Sequence, residues 1–474
     1  MSKKIHFVGI KGVGMTPLAI LAKEAGFEVS GCDIDKTFIT DEALDKSGIQ
    51  PLIGFSKGHV KNIDLVITTS AHGGFDNEEV KTAKALGVKV LTQGQAVGAF
   101  MNGSLVARSD IEGISITGSH GKTTTTSIIA TIFFQNNLDP SYVIGTSHIP
   151  TLPTPGHFGK GRHFIVEADE YATEPTYDKT PKFLWQKPKI AIITNIELDH
   201  PDIYNSEEAV VEAFFQFVKS FEHNGLLIAY GDDKNVDTLF KRYKGEVIRY
   251  GFSSRNDFFL KNVSVRDDHM FFWVETKSTS LGEFAIGVTG EHNALNALAS
   301  IICSLQMGIG VENIRRSIRT FAGLKRRAEF IGKTDKGALV FDDYGHHPTE
   351  VKKTLLGFRK RFSKSKIVCI FQPHTYSRTK ILFDQFIHSF SDADEVIITN
   401  IYASQREKPD SSVDSRSLAE ALSKFHAQIM FLPELSDVVK YIGQKYYDSD
   451  WILLTMGAGD VYTIGKEVVT VKHE

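Results

Sequence analysis

At 474 residues the chain is too long for a single hydrophobic core, so two to four domains are expected. A hydrophobic share of 42%, a charged share of 23% and a net charge of −3 describe a globular protein with no electrostatic footprint for nucleic acid. No uninterrupted apolar run is long enough to span a bilayer, and MSKKIHFVGI enters a strand without a cleavable hydrophobic segment, which makes the cytoplasm the expected location. Cys32, Cys303 and Cys369 are odd in number, far apart and set among apolar residues; buried free thiols are expected, not a disulfide or a zinc cluster.

Residues 4–10 read as a first strand. A turn containing Gly9, Lys11, Gly12, Val13 and Gly14 follows, then a helix over 15–25 and a strand over 28–32 that ends at Asp33. Strand, glycine turn, helix and an acid about twenty residues on outline a dinucleotide-binding unit. Lys11 occupies the place of the middle glycine, where a bulky side chain would obstruct a pyrophosphate. A phosphate-binding turn for another nucleotide, with Lys11 itself meeting a diphosphate, is the alternative. Strands at 64–69 and 88–92 complete a parallel sheet covered on both faces. Residues 98–112 have little periodicity and contain the turn pair Asn102-Gly103, and the first domain boundary is placed there.

The second unit opens with ISITGSHGKTTTT, residues 114–126. The strand end, the glycine turn and the apolar helix positions Ile128, Ile129, Ile132 and Phe133 make an anion site, because free N–H groups and the helix dipole point at one spot. The spacing is shorter than the general phosphate-loop motif, since Ile116 stands where its first glycine belongs. Gly118, Ser119, His120, Gly121, Lys122, Thr123 and Thr124 are the candidates to hold a nucleoside triphosphate. Two β-branched runs, 164–166 and 190–194, lead into Glu167, Asp169 and Glu170 and into Glu197, Asp199 and His200. Ligands of open α/β sheets lie at the carboxyl ends of strands, so Glu167 and His200 are expected beside Thr123 as magnesium ligands.

From 258 to 290 the period changes to two, an antiparallel ribbon on the parallel sheet, before helical patterns at 291–299 and 311–321. A third α/β unit is read after Gly323, with strands at 338–341, 367–371, 395–399 and 451–456. Polar residues again follow its strands, as in DDYGHHP and QPHTYSR. His346 and His347 should point different ways, and Pro348 suits a helix's first turn. Arg359, Lys360, Arg361, Lys364 and Lys366 read as a solvated helix end.

Taken together, GSHGKTTTT, EADE, TNIELDH, GEHNALNALA, GLKRRAE, DDYGHHPTE, FQPHTYSRT and MGAGD resemble the Mur ligases of peptidoglycan synthesis, in family order from Ile5 to about Lys466. The resemblance implies an α/β fold of three domains: residues 1–107, Rossmann-like, for the UDP-sugar; 108–324, a phosphate-loop ATPase with a mostly parallel sheet; and 325–474, Rossmann-like, delivering the amino acid. It implies an ATP- and Mg2+-dependent ligase that joins L-alanine to the carboxylate of UDP-N-acetylmuramate, in a monomer or weak homodimer.

Residue by residue, it assigns Lys122 and its loop to the ATP phosphates, and Thr123, Glu167 and His200 to the metal. His292 and Asn293 fall to the adenine side, Arg327 to the γ-phosphate, and Asp343 and His347 to further nucleotide contacts. Tyr344, His374 and Arg378 fall to the alanine pocket, and the Gly9–Gly14 turn to the UDP diphosphate. Departures are Lys11 for a glycine, Thr375 where an arginine is usual, and Phe214 and Phe215 near a lysine that sister ligases modify.

Glu170-Tyr171, Tyr177, Lys179, Lys182 and Phe183 are instead similar to the related ligase that recycles a tripeptide, which leaves the tripeptide as an alternative acceptor. An NAD-dependent oxidoreductase would account for Asp33 but not for the phosphate loop. A non-catalytic nucleotide-binding regulator would follow if positions 11 and 375 disable substrate binding.

Overall fold

The computed structural model describes residues 3–221, 223, 225–403, 407 and 409–470. Among the described residues three large sheets succeed one another along the chain, besides a two-stranded ribbon of Ala172–Glu174 and Asp178–Pro181. The first is all parallel, with Lys4–Val8 at its centre, Glu28–Asp33 and Leu52–Ile53 on one side, and Leu65–Thr68 and Lys89–Thr92 on the other. This is the Rossmann strand order without its sixth strand. The aperiodic stretch expected from residue 98 begins instead inside the helix Gln93–Met101. That helix is started by a reciprocal cap in which Thr92 and Gln95 each bond the other's backbone N–H.

The second sheet has ten strands. Its spine is parallel, and Glu112–Thr117, the strand before the phosphate loop, is flanked by His163–Glu167 on one side and Ile190–Ile193 on the other. Leu226–Tyr230 and Glu246–Gly251, which periodicity did not separate, extend this parallel part. Phe258–Arg266, His269–Thr276 and Ser280–Ile286 then form the antiparallel ribbon. The helix Lys122–Gln135 buries Ile128, Ile129, Ile132 and Phe133 completely, in one core with Ala297, Leu298 and Ile301 of the helix Glu291–Gln306. Each such side chain contributes roughly 1.5–3 kcal/mol. That core fixes the start of the phosphate-loop helix at the sheet's carboxyl edge.

The third sheet runs Glu329–Lys333, Leu339–Asp343, Trp451–Met456, Lys366–Phe371, Glu395–Ile398 and Ile429–Phe431, parallel except for its first strand. Its helix Pro348–Arg361 starts at His347, with Pro348 in the first turn as expected. The basic end of this helix is not merely solvated. Arg359 pairs with Asp394, Lys360 Nζ lies 2.7 Å from Glu291, and Arg361 Nε lies 2.9 Å from Asp268 of the antiparallel ribbon. Opposite charges on the central domain draw Lys360 and Arg361 across the interface, while Arg359 pairs within its own domain. No helix among the described residues is long and apolar enough to cross a membrane.

Candidate active site

The phosphate loop is built from glycines that cannot be replaced and N–H groups that are not used. Gly118 has φ 129°, and a Cβ there would overlap Thr194; Gly121 has φ 84°, and a Cβ would lie 2.6 Å from Asn296 Oδ1. Asn195 holds the loop by accepting from Ser119 N at 3.2 Å and from His120 N at 2.9 Å. The N–H groups of Gly121, Lys122, Thr123 and Thr124 take no acceptor among the described residues, as befits an uncapped helix start. They point where a phosphate chain would lie.

Lys122 does not stand free. Its Nζ lies 2.6 Å from Gly118 O and 3.0 Å from Glu170 Oε2. Burial works against the ammonium charge, but Glu170, Asp169 and Asp199 outweigh it and push the Lys122 pKa up. Glu170 thus neutralises the phosphate lysine, a role its place in the tripeptide-type stretch did not indicate.

The expected metal set is divided. Thr123 Oγ1 donates to Glu167 Oε2 at 2.8 Å, while the other oxygen of Glu167 accepts from Gly145 N at 2.5 Å. His200 instead belongs to a separate cluster with Glu170 and Asp199, their ligand atoms all within 4.8 Å of one another. The division follows from topology: Glu167 ends its strand, whereas His200 lies seven residues beyond Ile193 and is carried towards Glu170. Burial drives the imidazole down to about 3, so it is neutral and one ring nitrogen can serve as a ligand.

A cavity of about 490 Å3 opens beside the loop, between the second and third sheets. His120, Gly121 and Thr124 line it from the loop, His292 and Asn293 from the helix start at 291, and Arg327 and Asp343 from the third domain. Burial, with Asp343's neighbour Arg327 opposing, lifts that carboxyl to about 6. His347 Nδ1 accepts from Thr349 N at 3.2 Å, which leaves the ring proton on Nε2, and that buried nitrogen has no partner. Burial and His120 push the His347 pKa down to about 4. A neutral ring offering one N–H is suited to a phosphate oxygen.

Glu197 and Glu350 complete the interface, and motif matching had given neither a role. His120 lies 3.4 Å from Glu350 and 3.6 Å from Glu197. Burial opposes its charge, but the two acids raise the imidazole to about 10. Glu350 also reaches Arg327 at 3.3 Å, and Glu197 accepts from Thr349 Oγ1 at 2.6 Å. The available signal for Glu350 was its place three residues after His347, the spacing of a reciprocal helix cap.

The residues that the resemblance assigns to the amine come together, with Arg378 already engaged. Tyr344 packs edge-on against His346, and His346 against His374. As expected, the two adjacent histidines diverge: His346 faces this cluster and His347 the nucleotide side. Arg378 is buried, with Nε and Nη2 each 3.1 Å from Asp199 Oδ1 and Nη1 3.1 Å from His374 Nδ1. A carboxylate of the protein therefore already occupies the guanidinium. Thr375 holds φ 68° and caps the helix Tyr376–Ile381 by accepting from Arg378 N, so its side chain is spent on the backbone that carries Arg378.

In the first domain Val13 N and Gly14 N take no partner among the described residues, and these can meet an anion. The Lys11 side chain does not join them. It is buried, with Nζ 2.9 Å from Lys36 O and 3.4 Å from Asp41, so in this structure it is engaged away from the free N–H groups of the turn. Asp33 accepts from Lys11 N and Ile34 N, so it braces the turn and is not free for a ribose. The tripeptide-like stretch faces this domain: Tyr177 Oη donates to Asp76 at 2.7 Å. Phe214 is core, packed on Phe183 and Phe217.

The sequence matches three family descriptions in succession: the Mur ligase family catalytic domain over residues 4–104, the Mur ligase middle domain over 116–304, and the Mur ligase glutamate ligase domain over 326–459. The UDP-N-acetylmuramate–L-alanine ligase of Desulfitobacterium hafniense is 36% identical over 99% of this chain and 100% of its own. That of Clostridium acetobutylicum is 38% identical, covering 98% and 97%. The crystal structure of the UDP-N-acetylmuramate–alanine ligase of Thermotoga maritima superposes with a TM-score of 0.80 at 27% identity, covering 98% of both chains. A murein peptide ligase of Psychrobacter arcticus shares the fold, with a TM-score of 0.71 at 22% identity.

Proposed function

The chain belongs to the Mur ligase family, and from that premise we infer that it is an ATP-dependent ligase joining L-alanine to the carboxylate of UDP-N-acetylmuramate in peptidoglycan precursor synthesis. The observation that carries the reading is one cavity walled by phosphate-loop N–H groups, the 291 helix start and Arg327 of the third domain. On this reading residues 1–107 bind the UDP-sugar, 108–324 bind ATP and 325–474 deliver the amino acid, in the cytoplasm.

A carboxylate is a poor electrophile because oxide would have to leave. Attack of the sugar carboxylate on the γ-phosphorus of ATP forms an acyl phosphate and releases ADP. The amine of alanine then attacks the acyl carbon, and phosphate leaves from the tetrahedral intermediate. Charge develops on the transferring group, and Lys122, freed from Glu170 by the incoming phosphates, stabilises it together with Arg327 and the loop N–H groups. His347 Nε2–H donates to a phosphate oxygen.

Thr123 and Glu167 offer the hard oxygen donors that Mg2+ prefers, and Glu170 and Asp199 offer two further carboxylates beside the His200 imidazole. Mg2+, when bound, neutralises charge on the β- and γ-phosphates. The alanine carboxylate competes with Asp199 for Arg378, beside His374 and Tyr344. Closure of the third domain over the cavity keeps water from the acyl phosphate.

Phosphate release measured with UDP-N-acetylmuramate, ATP and either L-alanine or the cell-wall tripeptide tests the assignment. Release with L-alanine is expected. Release with the tripeptide alone would move the protein to the recycling reaction, and release with neither would leave a nucleotide-binding protein without ligase activity.

A further inference from the structure

Away from the ligation site, four chemistry-bearing side chains meet inside the first domain. His6 comes from the central strand, Cys32 from the strand beside it, His59 from the turn after residue 55, and Glu79 from the first turn of the helix Glu78–Ala85. His6, Cys32 and Glu79 are buried and His59 is partly so. Glu79 Oε2 lies 3.0 Å from His6 Nε2 and 3.0 Å from Cys32 Sγ, and Glu79 Oε1 lies 2.7 Å from His59 Nδ1. All four ligand atoms fall within 4.8 Å of one another. Cys32 is a buried free thiol in an apolar cluster with Val8, Val60, Val66 and Val80, as the sequence reading expects, and it also meets the Glu79 carboxylate, which that reading did not foresee.

We propose that these four residues form a binding site for one divalent transition-metal ion, zinc foremost, held by His6 Nε2, Cys32 Sγ, His59 Nδ1 and a Glu79 oxygen. Two imidazoles, a thiolate and a carboxylate are donors that zinc takes in tetrahedral geometry. The edges of such a tetrahedron are roughly 3.3–3.8 Å; the Glu79 contacts of 2.7–3.0 Å have to open slightly, and separations of up to 4.8 Å elsewhere in the cluster have to close by no more than about an ångström. The orientation is already set: His6 Nδ1 lies 2.9 Å from Ser30 Oγ, which turns Nε2 towards the centre.

Charge balance also fits. The ion displaces the thiol proton to solvent, and two anionic ligands against one dication leave a buried site with no net charge, the condition under which burial is least costly. Without a metal, Glu79 is the hub of a hydrogen-bonded cluster that also takes Ser56 N at 2.8 Å. Hydroxyls and amides would serve such a hub equally well. What two imidazoles and a thiol share beyond donating protons is affinity for a borderline-soft cation.

The ion would brace more than its ligands. The carbonyl of Cys32 accepts from Gly9 N at 2.9 Å and Ile10 N at 3.1 Å, the first N–H groups of the turn read as the diphosphate loop. A metal on Cys32 would clamp the 56–59 turn and the Glu78–Ala85 helix to the strand from which that turn hangs.

The test uses the full-length protein, stripped with chelator, with excess Mg2+ and ADP present to fill the ligation site. Zinc retained through gel filtration is counted by mass spectrometry, and Co2+ is titrated in as a chromophore. The expected result is one zinc per chain, with a thiolate-to-cobalt charge-transfer band and the intense visible bands of a tetrahedral ion. Cys32→Ser should abolish the charge-transfer band. Ser30→Ala, which removes only the orienting partner of His6, should weaken zinc binding on the order of tenfold. His59→Ala, on the partly exposed turn, keeps the test decisive should Cys32→Ser fail to fold, and it too should lose tight zinc. Wild-type protein that retains no zinc, or retains as much as the His59→Ala variant, overturns the proposal, as does a cobalt adduct lacking the thiolate band.

Discussion

Replacing Lys122 with alanine separates what the lysine does for the fold from what it does for ATP. Its side chain is 13% exposed and that of Glu170 is 3% exposed, with 3.0 Å between ammonium and carboxylate. Truncation leaves Glu170 enclosed beside Asp199 and the neutral His200. Removing one member of a buried pair costs about 3–5 kcal/mol. Burial already raises the Glu170 pKa, so the carboxylate can escape part of the cost by taking up a proton, which puts the expected loss at the lower end, about 3 kcal/mol. The double variant Lys122→Ala/Glu170→Ala removes the orphaned charge and should regain most of that stability in urea titrations. Turnover should not return, because the transferring phosphoryl group still lacks its cation. A loss of at least roughly a hundredfold in ADP release dependent on both UDP-N-acetylmuramate and L-alanine is expected in both variants. A double variant with wild-type turnover would refute the phosphate role. An Lys122→Ala protein as stable as the parent would refute the burial argument.

Arg378→Ala should raise the L-alanine requirement by roughly 10- to 100-fold, the worth of a charge-assisted contact, while the KM for ATP stays near the parent value. Asp199→Asn is the control, since it relieves the charge that the alanine variant would strand, and an unchanged alanine KM in both would remove Arg378 from the pocket. Glu167→Gln should raise the Mg2+ concentration needed for half-maximal turnover; a Mg2+ titration that overlays the wild-type curve would shift the metal to the Glu170–Asp199–His200 cluster. Burial, with Lys353 and Arg327, lowers His292 from 6.5 to about 4. The unfolded chain therefore binds the extra proton first: the contribution of His292 is complete above pH 6.5 and is lost as pH falls towards 4, about 3 kcal/mol in all. In His292→Asn, stability measured from pH 7 to 4.5 should fall less steeply than in the parent, and parallel curves would contradict the assignment.

What could be read from sequence was what local geometry dictates. Strand, glycine turn and helix at 112–135 form a unit whose anion site follows from its own backbone, and the structure leaves the N–H groups of Gly121 to Thr124 unused there. Electrostatic partners were harder, because they are set by which strand tips the topology brings together. Glu170 lies 48 residues from Lys122, and Asp199 lies 179 from Arg378. Nothing in the spacing of either pair marks it.

The same reason explains Lys11, which sits in a glycine-rich turn yet is drawn inward by Asp41 and the Lys36 carbonyl. It also explains Cys32, which lies in an apolar cluster yet meets the carboxylate of Glu79, 47 residues away in sequence. Both phosphate lysine and alanine arginine are thus held by carboxylates of the protein, Glu170 and Asp199, which belong to one cluster with His200. On the proposed function, ATP would displace the first and alanine would compete with the second. On that reading each substrate would expose buried acid where Mg2+ is proposed to bind, which would give a physical reason for nucleotide, metal and amine to act on one site in concert: each arrival would supply or demand the charge that another leaves unbalanced.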